Sequence, residues 1–262
     1  VKYIIEVDGF RKEKKVILMD KLNILVANDD GINAIGIKML AKALRKYGDV
    51  TVCAPDSGRS ASGHSIILHD TLGFNFVERK DDIDWYVTTG TPADCVRLSI
   101  GLIDKEFDIV FSGVNNGLNL GTDIIYSGTV AAAREAQIEF LPAVAVSTDF
   151  DSFEIVEKEL EMVLDKVFNE KLYSKDYVLN INFPTMDYKE SLGYKYCRQG
   201  IKRFKTKFVL NSEGRYMNTD NDIVYDTREE TDVYQASKGY ITFVPLHVEQ
   251  TCYDALEKMK NE

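Results

Sequence analysis

Residues 24–31 read ILVANDDG, a run of four apolar residues followed by an Asn-Asp-Asp-Gly turn sequence. A short unbroken apolar run is typical of a β-strand that is buried on both faces. The next residues place apolar side chains at helical spacing until Gly48. These apolar positions are Ile37, Leu40, Ala41, Leu44 and Tyr47. A second apolar run at residues 50–54 completes a predicted β-α-β unit.

Apolar runs and helical spacings continue to alternate along the chain as far as residue 183. The further apolar runs lie at residues 107–111, 141–147 and 177–183, and the further helices begin at Thr91-Pro92, at Ser127 and near residue 153. Strands that alternate with helices imply a mostly parallel sheet covered by helices on both faces. We therefore expect an α/β fold.

The chain divides into four predicted segments. They are an N-terminal extension (1–20), the α/β core (21–183), an antiparallel excursion (184–238), and a returning strand with a terminal helix (239–262). In the extension, Asp8-Gly9 is a candidate hairpin turn. In the excursion, residues 211–214 are predicted to join the two strands of a hairpin.

Composition and charge exclude several classes of protein. The 262 residues include 32 Lys and Arg against 42 Asp and Glu, a net charge of −10 that disfavours duplex nucleic acid as the main partner. Hydrophobic residues make up 45% of the chain, enough for a sizeable core, so wholesale disorder is excluded. No stretch approaches the ~20 apolar residues of a membrane span. A small anionic substrate stays compatible, because a metal ion or a helix N-terminus reverses the local charge.

The four cysteines are scattered and contain no CxxC pair; they are Cys53, Cys95, Cys197 and Cys252. This pattern favours core packing in a reducing compartment over a disulfide framework or a zinc site. Residues 1–20 mix charged and apolar residues and do not read as a secretory signal. We expect a cytoplasmic protein.

Asp29 and Asp30 directly follow the first predicted strand. In parallel α/β sheets, ligands bind beyond the carboxyl ends of the strands. Two adjacent carboxylates suit a hard cation such as Mg²⁺, Mn²⁺ or Ca²⁺ better than zinc. A turn in which one aspartate caps the next helix explains the same residues equally well.

Two further polar loops follow predicted strands. The first, at residues 54–63, contains Arg59 and Ser60: a hydroxyl can complete a metal shell and a guanidinium can bind phosphate, although such loops are more often plain connections. The second, at residues 112–129, is rich in glycine and asparagine and favours ligand binding over two tight turns. It ends at the start of an alanine-rich helix, where free N–H groups and the helix dipole favour phosphate.

Several other kinds of site are disfavoured. No Walker A motif is present, no GxGxxG follows the first strand, and no GxSxG is found. His64, His69 and His247 fit structural roles better than catalytic ones.

Five motifs in order make the chain resemble the SurE (stationary-phase survival protein) family over roughly residues 22–150. The motifs are NDDG at residues 28–31, APDSGRS at 54–60, GTPADCV at 90–96, SGVNNGLNLG at 112–121 and YSGTVAAA at 126–133. A PLHV sequence at residues 245–248 is similar to the C-terminal signature of that family.

The resemblance implies a three-layer α/β/α, Rossmann-like core, a protruding hairpin region, and a metal-dependent phosphatase of nucleoside monophosphates. It also implies one divalent ion per subunit, Mg²⁺ or Mn²⁺, and a homodimer or homotetramer built through the C-terminal region. By motif, the metal ligands are Asp29, Asp30, Ser60 and Asn115. Asp29 and Asp30 are then also the catalytic residues. The phosphoryl group would contact Asn119, Ser127, Gly128 and Thr129.

The chain departs from the family pattern at three places. Residues 34–36 lack a proline found in relatives, Glu249 stands where aspartate is commoner, and residues 1–20 precede the usual start. None of these positions is a proposed ligand.

Two alternatives belong to other functional classes. A metal-dependent glycosyltransferase also places acidic residues after a strand, and a nucleotide or phosphate sensor binds without turnover. The preference for 5′ or 3′ esters stays open. Two roles also stay open for the aromatic residues of the hairpin region: covering the base of the substrate, or forming a subunit interface.

Overall fold

The structure, a computed structural model, describes residues 3–7, 15–19, 21–219 and 222–261. In chain order the strands are β1 (Tyr3–Val7), β2 (Lys15–Met19), β3 (Leu22–Ala27), β4 (Gly48–Pro55), β5 (Phe74–Lys80), β6 (Ile83–Thr88), β7 (Ile109–Asn116), β8 (Ala143–Thr148), β9 (Val178–Asn182), β10 (Tyr194–Tyr196), β11 (Lys202–Phe204), β12 (Phe208–Leu210), β13 (Tyr216–Asn218), β14 (Ile223–Tyr225) and β15 (Ile241–Leu246). The helices are α1 (Ile35–Leu44), α2 (Pro92–Leu102), α3 (Asp123–Tyr126), α4 (Gly128–Ile138), α5 (Phe153–Asn169), α6 (Asp232–Ser237) and α7 (Tyr253–Lys260).

Nine of the described strands form one sheet in the order β10-β15-β9-β8-β7-β3-β4-β6-β5. The six strands from β9 to β6 run parallel to one another. On one side β5 adds antiparallel to β6, and on the other β15 adds antiparallel to β9. The predicted α/β fold with a mostly parallel sheet is therefore confirmed.

Helices cover both faces of this sheet. Successive residues of a strand point to opposite faces, so the apolar residues of each strand are buried on both sides. Ile24 and Val26 of β3 lie in one buried cluster, together with apolar residues of α1 and α5. Leu25 and Ala27 lie in a second cluster with residues of α2 and α4. The unbroken apolar run of β3 thus contributes side chains to two hydrophobic cores, one on each face of the sheet. The fold therefore has three layers, with helices on either side of the sheet.

Strand β7 is longer than the sequence predicts. The glycine-rich stretch from Ser112 was predicted as a loop, but β7 continues through it to Asn116. The strand follows β8 closely here: a Cβ added at Gly113, whose φ is +130°, would lie 2.1 Å from the carbonyl oxygen of Val146. Glycine is therefore needed for the approach of two strand backbones rather than for a turn.

The antiparallel excursion contains two small sheets and one strand of the main sheet. The predicted hairpin is present as β12 and β13, with Leu210 opposite Tyr216, and β11 pairs with β14. Strand β10 instead lies parallel to β15 at the edge of the main sheet, a long-range pairing that local sequence does not indicate. This departs from the prediction that residues 184–238 form a wholly antiparallel excursion.

The two ends of the chain agree with the predicted elements. Strands β1 and β2 pair antiparallel, and the candidate turn Asp8-Gly9 lies outside the described residues. The terminal helix α7 is present and buries none of its described side chains. No helix in the described part of the chain is long and apolar enough to cross a membrane.

Candidate active site

The candidate site lies where the order of the strands reverses. From β3 the chain continues to β4 on one side of it, and later returns to β7 on the other side. The carboxyl ends of strands on either side of such a point border a crevice in which α/β proteins bind ligands. Asp29 and Asp30 follow β3 at this crevice, and Asn115 and Asn116 end β7.

The Asp29 carboxylate is buried and tightly held. Only 5% of the residue is exposed, and Oδ1 accepts a 2.5 Å hydrogen bond from the hydroxyl of Thr129. Burial raises the pKa of Asp29 to about 6, against the lowering effect of the Thr129 hydrogen bond, and the neighbouring Asp30 raises it further. Asp29 lines the crevice, and its Oδ2 lies beside the start of α4, 3.0 Å from the position of a Cβ added at Gly128.

The Asp30 carboxylate is half-buried beside it. Its Oδ2 accepts a 3.0 Å hydrogen bond from the backbone N–H of Asn116. Burial raises the pKa of Asp30, and this backbone hydrogen bond partly opposes the rise. The bond ties the end of β7 to the loop after β3, so both acidic residues are held by neutral donors.

Neither aspartate caps the following helix. Helix α1 has Ala34 at its N-cap and no side-chain capping bond. The turn is closed instead by Asn28, whose Oδ1 accepts from the Gly31 N–H at 3.2 Å and whose Nδ2 donates to the Gly31 carbonyl at 3.0 Å. The interpretation of this loop as a helix cap is therefore wrong, and both carboxylates are available to a ligand.

Asn115 and Ser60 line the same cavity as the two aspartates. The Asn115 Nδ2 donates to the carbonyl of Gly117 at 2.7 Å, which leaves Oδ1 as its coordinating atom. Ser60 is exposed on a loop that is tied to the aspartates by a 2.7 Å bond from the Arg59 N–H to the Asp29 carbonyl. The structure thus brings all four motif-derived metal ligands to one place.

This set of donors fits a hard divalent cation. Two carboxylates and two neutral oxygens are the ligands that Mg²⁺ and Mn²⁺ prefer. Among the described residues, no group of three His, Cys, Asp or Glu side chains forms a metal cluster. A cation held here would therefore depend on the hydroxyl and amide oxygens as well as on the two aspartates.

The N-terminus of α4 closes the crevice beside Asp29. Ser127 is the N-cap, and its hydroxyl oxygen accepts from the Val130 N–H at 3.0 Å. Gly128 packs so closely that an added Cβ would lie 2.8 Å from the Cβ of Asp29. The Val130 N–H is thus used by the cap, and the Thr129 N–H lowers the pKa of Asp29, so an anion at this end of α4 is favoured by the positive end of the helix dipole.

The four predicted phosphate-binding residues have different surroundings. Ser127 and Asn119 line the cavity, whereas Gly128 and Thr129 are buried behind it. Thr129 has no exposed surface, and its hydroxyl is used by Asp29. Its side chain therefore positions a carboxylate, a role that the sequence pattern did not suggest.

Asn119 is held by buried polar groups of two strands. Its N–H donates to Oδ1 of Asn182 at 2.7 Å, and its carbonyl accepts from Asn180 and Asn182 at 3.0 and 3.1 Å. Its Nδ2 donates to the hydroxyl of Ser147 at 2.8 Å. Ser147 on β8 and Asn180 and Asn182 on β9 are polar residues inside predicted apolar runs. That interruption is the one feature of the sequence that could have identified them.

The cavity has a volume of about 830 Å³. It also takes in residues that the predicted site does not include, some from loops of the core and some from the excursion. They include Asp123, Phe150, Lys202, Phe204, Tyr225 and Tyr234. Lys202 and Asp123 form an ion pair at 2.5 Å, in which each side chain is less than a fifth exposed.

None of the three histidines and four cysteines, all within the described residues, lines the cavity. His64 pairs with the buried Glu135 at 2.7 Å, in line with a structural role. Cys53, Cys95 and Cys197 are buried as expected, but Cys252 is exposed, so the expectation of core packing is wrong for that residue.

Comparisons with known proteins agree with the motifs. A sequence profile of the family described as "Survival protein SurE" matches residues 24–206. The 5′-nucleotidase SurE of Clostridium botulinum (strain Kyoto / Type A2) is 42% identical over 246 residues, covering 90% of this chain and 97% of that protein. The protein of the same name from strain Alaska E43 / Type E3 is 40% identical over 255 residues, covering 91% and 98%.

A solved structure has the same fold. The crystal structure of the SurE protein from Aquifex aeolicus superposes with a TM-score of 0.76 at 34% identity, covering 91% of this chain and 98% of that one. Profile, relatives and structure each extend over most of the α/β core and beyond it.

Proposed function

Because the chain belongs to the SurE family, we propose that it is a metal-dependent phosphomonoesterase that hydrolyses nucleoside 5′-monophosphates. The names of its relatives support the reaction class. The observation that carries the proposal is the meeting of Asp29, Asp30, Ser60 and Asn115 with the N-terminus of α4 in one cavity. A cation site next to an anion site is the arrangement that a phosphate ester requires.

A bound Mg²⁺ or Mn²⁺ supplies charge that polarises a phosphoryl oxygen and makes water a better nucleophile. The residues of the chain do the positioning. Thr129 fixes one oxygen of Asp29, the Asn116 N–H fixes one oxygen of Asp30, and both residues line the cavity. Fixed donors reduce the reorganisation that the site needs when the ester reacts.

The phosphoryl group is held at the start of α4. The positive end of the helix dipole attracts its oxygens. Ser127 and Asn119 line the cavity at this end, and the backbone of Asn119 is fixed by Asn180 and Asn182. The negative charge that shifts within the phosphoryl group as the ester bond breaks then lies next to these donors.

Three further expectations belong to the same proposal. Hydrolysis of 3′-monophosphates is included in the test below. A homodimer or homotetramer through the C-terminal region is supported by exposed apolar side chains on β12 and β13, such as Phe208 and Tyr216, and sedimentation equilibrium measures it. A cytoplasmic location fits four cysteines that are all free.

The test is release of phosphate from a panel of 5′- and 3′-nucleoside monophosphates, with EDTA and then with added Mg²⁺ or Mn²⁺. We expect turnover that needs the metal and that collapses in Asp30→Asn, because loss of one carboxylate removes much of the charge that binds a hard cation. Asp81→Asn is the matched control: Asp81 is exposed, its φ is +53°, and asparagine tolerates that conformation.

Full metal-dependent activity in Asp30→Asn would contradict the proposed coordination. Tight binding of nucleotides without any release of phosphate would favour the sensor alternative. Transfer of a sugar instead of hydrolysis would favour the glycosyltransferase.

A further inference from the structure

A polar cluster lies between α2 and α4, outside the cavity. It consists of Asp94 and Arg97 on α2 and Glu135 on α4, and none of the three lines the cavity. The Arg97 guanidinium lies 3.6 Å from Asp94 and 3.5 Å from Glu135, whose side chains are only 1% and 8% exposed. Buried carboxylates are costly unless charges and donors compensate them. One arginine offsets one of the two negative charges, so the cluster needs further donors.

The further donors come from the loop at residues 56–73, which joins β4 to β5. Nε2 of His64 lies 2.7 Å from Oε2 of Glu135, and the Ile67 N–H donates to Oδ2 of Asp94 at 3.2 Å. An ionised carboxylate only accepts, so the imidazole carries a proton on Nε2. The second half of the loop is therefore fixed to both helices by the two buried carboxylates.

The first half of the same loop carries Ser60, one of the four proposed metal ligands. Before Ser60, the Arg59 N–H donates to the carbonyl of Asp29 at 2.7 Å. After it, the Gly63 N–H donates to the carbonyl of Tyr126 at 2.9 Å, directly before the N-cap of α4. Ser60 is thus held between an anchor on the acidic loop and anchors on or next to α4.

The Ser60 hydroxyl makes no hydrogen bond within the described part of the chain. The side chains of Asp29, Asp30 and Asn115, by contrast, are each held by a direct hydrogen bond. The path of the loop backbone therefore decides where the Ser60 hydroxyl lies. This path includes Ala61 at a φ of +55°, a conformation that is unfavourable for a residue with a Cβ and persists only where its surroundings hold it.

We propose that His64 and Glu135 are positioning residues for the cation site, because their bond keeps the loop on the path that brings the Ser60 hydroxyl to the metal. This inference rests on the proposed function and adds to it a pair of residues that do not line the cavity. Both residues act through Ser60 and not by contact with the ion.

The first test measures the Kd of Mn²⁺ for the protein without nucleotide, from the electron paramagnetic resonance signal of the free ion. We expect His64→Ala to raise this Kd by about 10-fold, the lower end of what the loss of a residue that orients a metal ligand costs. His64→Gln supplies an amide that donates to Glu135 and should stay within about threefold of the unmodified protein. His69→Ala is the matched control and should leave Kd unchanged, because His69 is on the same loop, is exposed, and makes no hydrogen bond among the described residues.

Glu135→Met breaks the same bond from the α4 side and should raise Kd by a similar factor. It tests the proposal independently if His64→Ala does not give the circular dichroism spectrum of the folded protein. An unchanged Kd in both variants, or an equal loss in His69→Ala, overturns the positioning role.

A double substitution shows whether the pair acts through Ser60. Ser60→Ala removes one neutral ligand and leaves both carboxylates, so binding of Mn²⁺ stays measurable. In that background His64→Ala should change Kd by less than about twofold, because the ligand that it positions is gone. A loss as large as in the unmodified background overturns the inference.

Phosphate release from adenosine 5′-monophosphate, measured on the same proteins, separates this inference from the proposed function. Metal-dependent turnover together with a Kd that does not respond to His64 overturns the positioning role while the phosphatase stands. If no ester is hydrolysed and Kd depends on His64 only when Ser60 is present, the proposed function fails and the positioning role stands.

Discussion

The substitution Gly128→Ala should lower the activity of this protein far more than its stability. Gly128 is the first residue of α4 and packs against Asp29. A methyl group at this position would lie 2.8 Å from Cβ and 3.0 Å from Oδ2 of Asp29, and 2.9 Å from the hydroxyl oxygen of Ser62. Ordinary carbon contacts begin at 3.4 Å, so the carboxylate or the helix must move by about 0.6 Å (3.4 minus 2.8).

Two terms oppose each other in the effect on stability. Overpacking costs about 1–3 kcal/mol, whereas alanine in a helix is favoured over glycine by about 0.5–1 kcal/mol. The net loss is then at most about 2.5 kcal/mol, which lowers Tm by no more than about 10 °C in a chain of this size. The effect on activity is larger, since a misplacement of about 1 Å costs on the order of 100-fold in rate. We expect kcat/KM to fall by roughly 10- to 100-fold.

The assay is release of phosphate from adenosine 5′-monophosphate at saturating Mg²⁺, beside thermal unfolding followed by circular dichroism. Gly101→Ala is the matched control: Gly101 also lies in a helix, α2, and an added Cβ meets nothing within 4 Å. It should keep full activity and the same or a higher Tm. Unchanged kcat/KM in Gly128→Ala would refute the reasoning, as would full rescue by a second change, Ser62→Ala, because the clash would then be with Ser62 and not with Asp29.

Two more predictions concern hydrogen bonds of single side chains. Thr129→Val removes the hydroxyl that donates to Oδ1 of Asp29 and keeps the shape of the side chain. It should lower activity or metal affinity by about 10- to 100-fold, measured as the Mg²⁺ concentration for half-maximal turnover. Thr129→Ser keeps a hydroxyl and should retain activity, and equal activity of all three proteins would contradict the role of the hydrogen bond. Burial and the 2.7 Å hydrogen bond to Asp165 raise the pKa of Tyr47 above its ordinary value of about 10. The stability that this tyrosine contributes is therefore complete below about pH 10, and it is lost as the pH rises beyond that value. Urea unfolding at pH 8 and pH 10.5 should show that the free energy of unfolding falls less with pH for Tyr47→Phe than for the unmodified protein. An equal fall in the two proteins would exclude Tyr47 as its source.

The part of the fold that could be predicted from the sequence is the part governed by local patterns. The apolar run ending at Ala27 predicts a strand buried on both faces, and the structure places its alternate residues in two cores. The Thr91 start of α2 is also local, since its hydroxyl caps Asp94 within a capping box. Both signals involve neighbours in sequence, so they are readable without knowledge of the fold.

The misses come from contacts between distant segments. Gly113 reads as a loop residue, and only its approach to Val146 of β8 shows that the strand continues through it. Strand β10 joins the main sheet through residues near 241, about 45 positions further along the chain. Such pairings cannot be derived from local composition.

The candidate site divides in the same way. The acidic pair is predictable because it follows a strand and must therefore stand at the edge of the sheet. The role of Thr129 is not, because its spacing fits a phosphate contact and only the fold brings its hydroxyl to Asp29, one hundred residues earlier in the chain. The positions of Phe150 and Tyr225 are even harder to predict from the sequence, since these residues reach the cavity from two separate segments.

This division has a consequence for how the protein works. The residues proposed for the chemistry lie at strand ends and a helix N-terminus within the parallel core, where burial and backbone hydrogen bonds fix them. Two aromatic residues that line the same cavity, Phe204 and Tyr225, lie instead on a two-stranded sheet that contacts the core through the Lys202–Asp123 pair. Substitutions on that sheet therefore change one wall of the cavity without replacing a residue proposed for the metal or the phosphate. The cavity is thus built from two separate parts of the same chain.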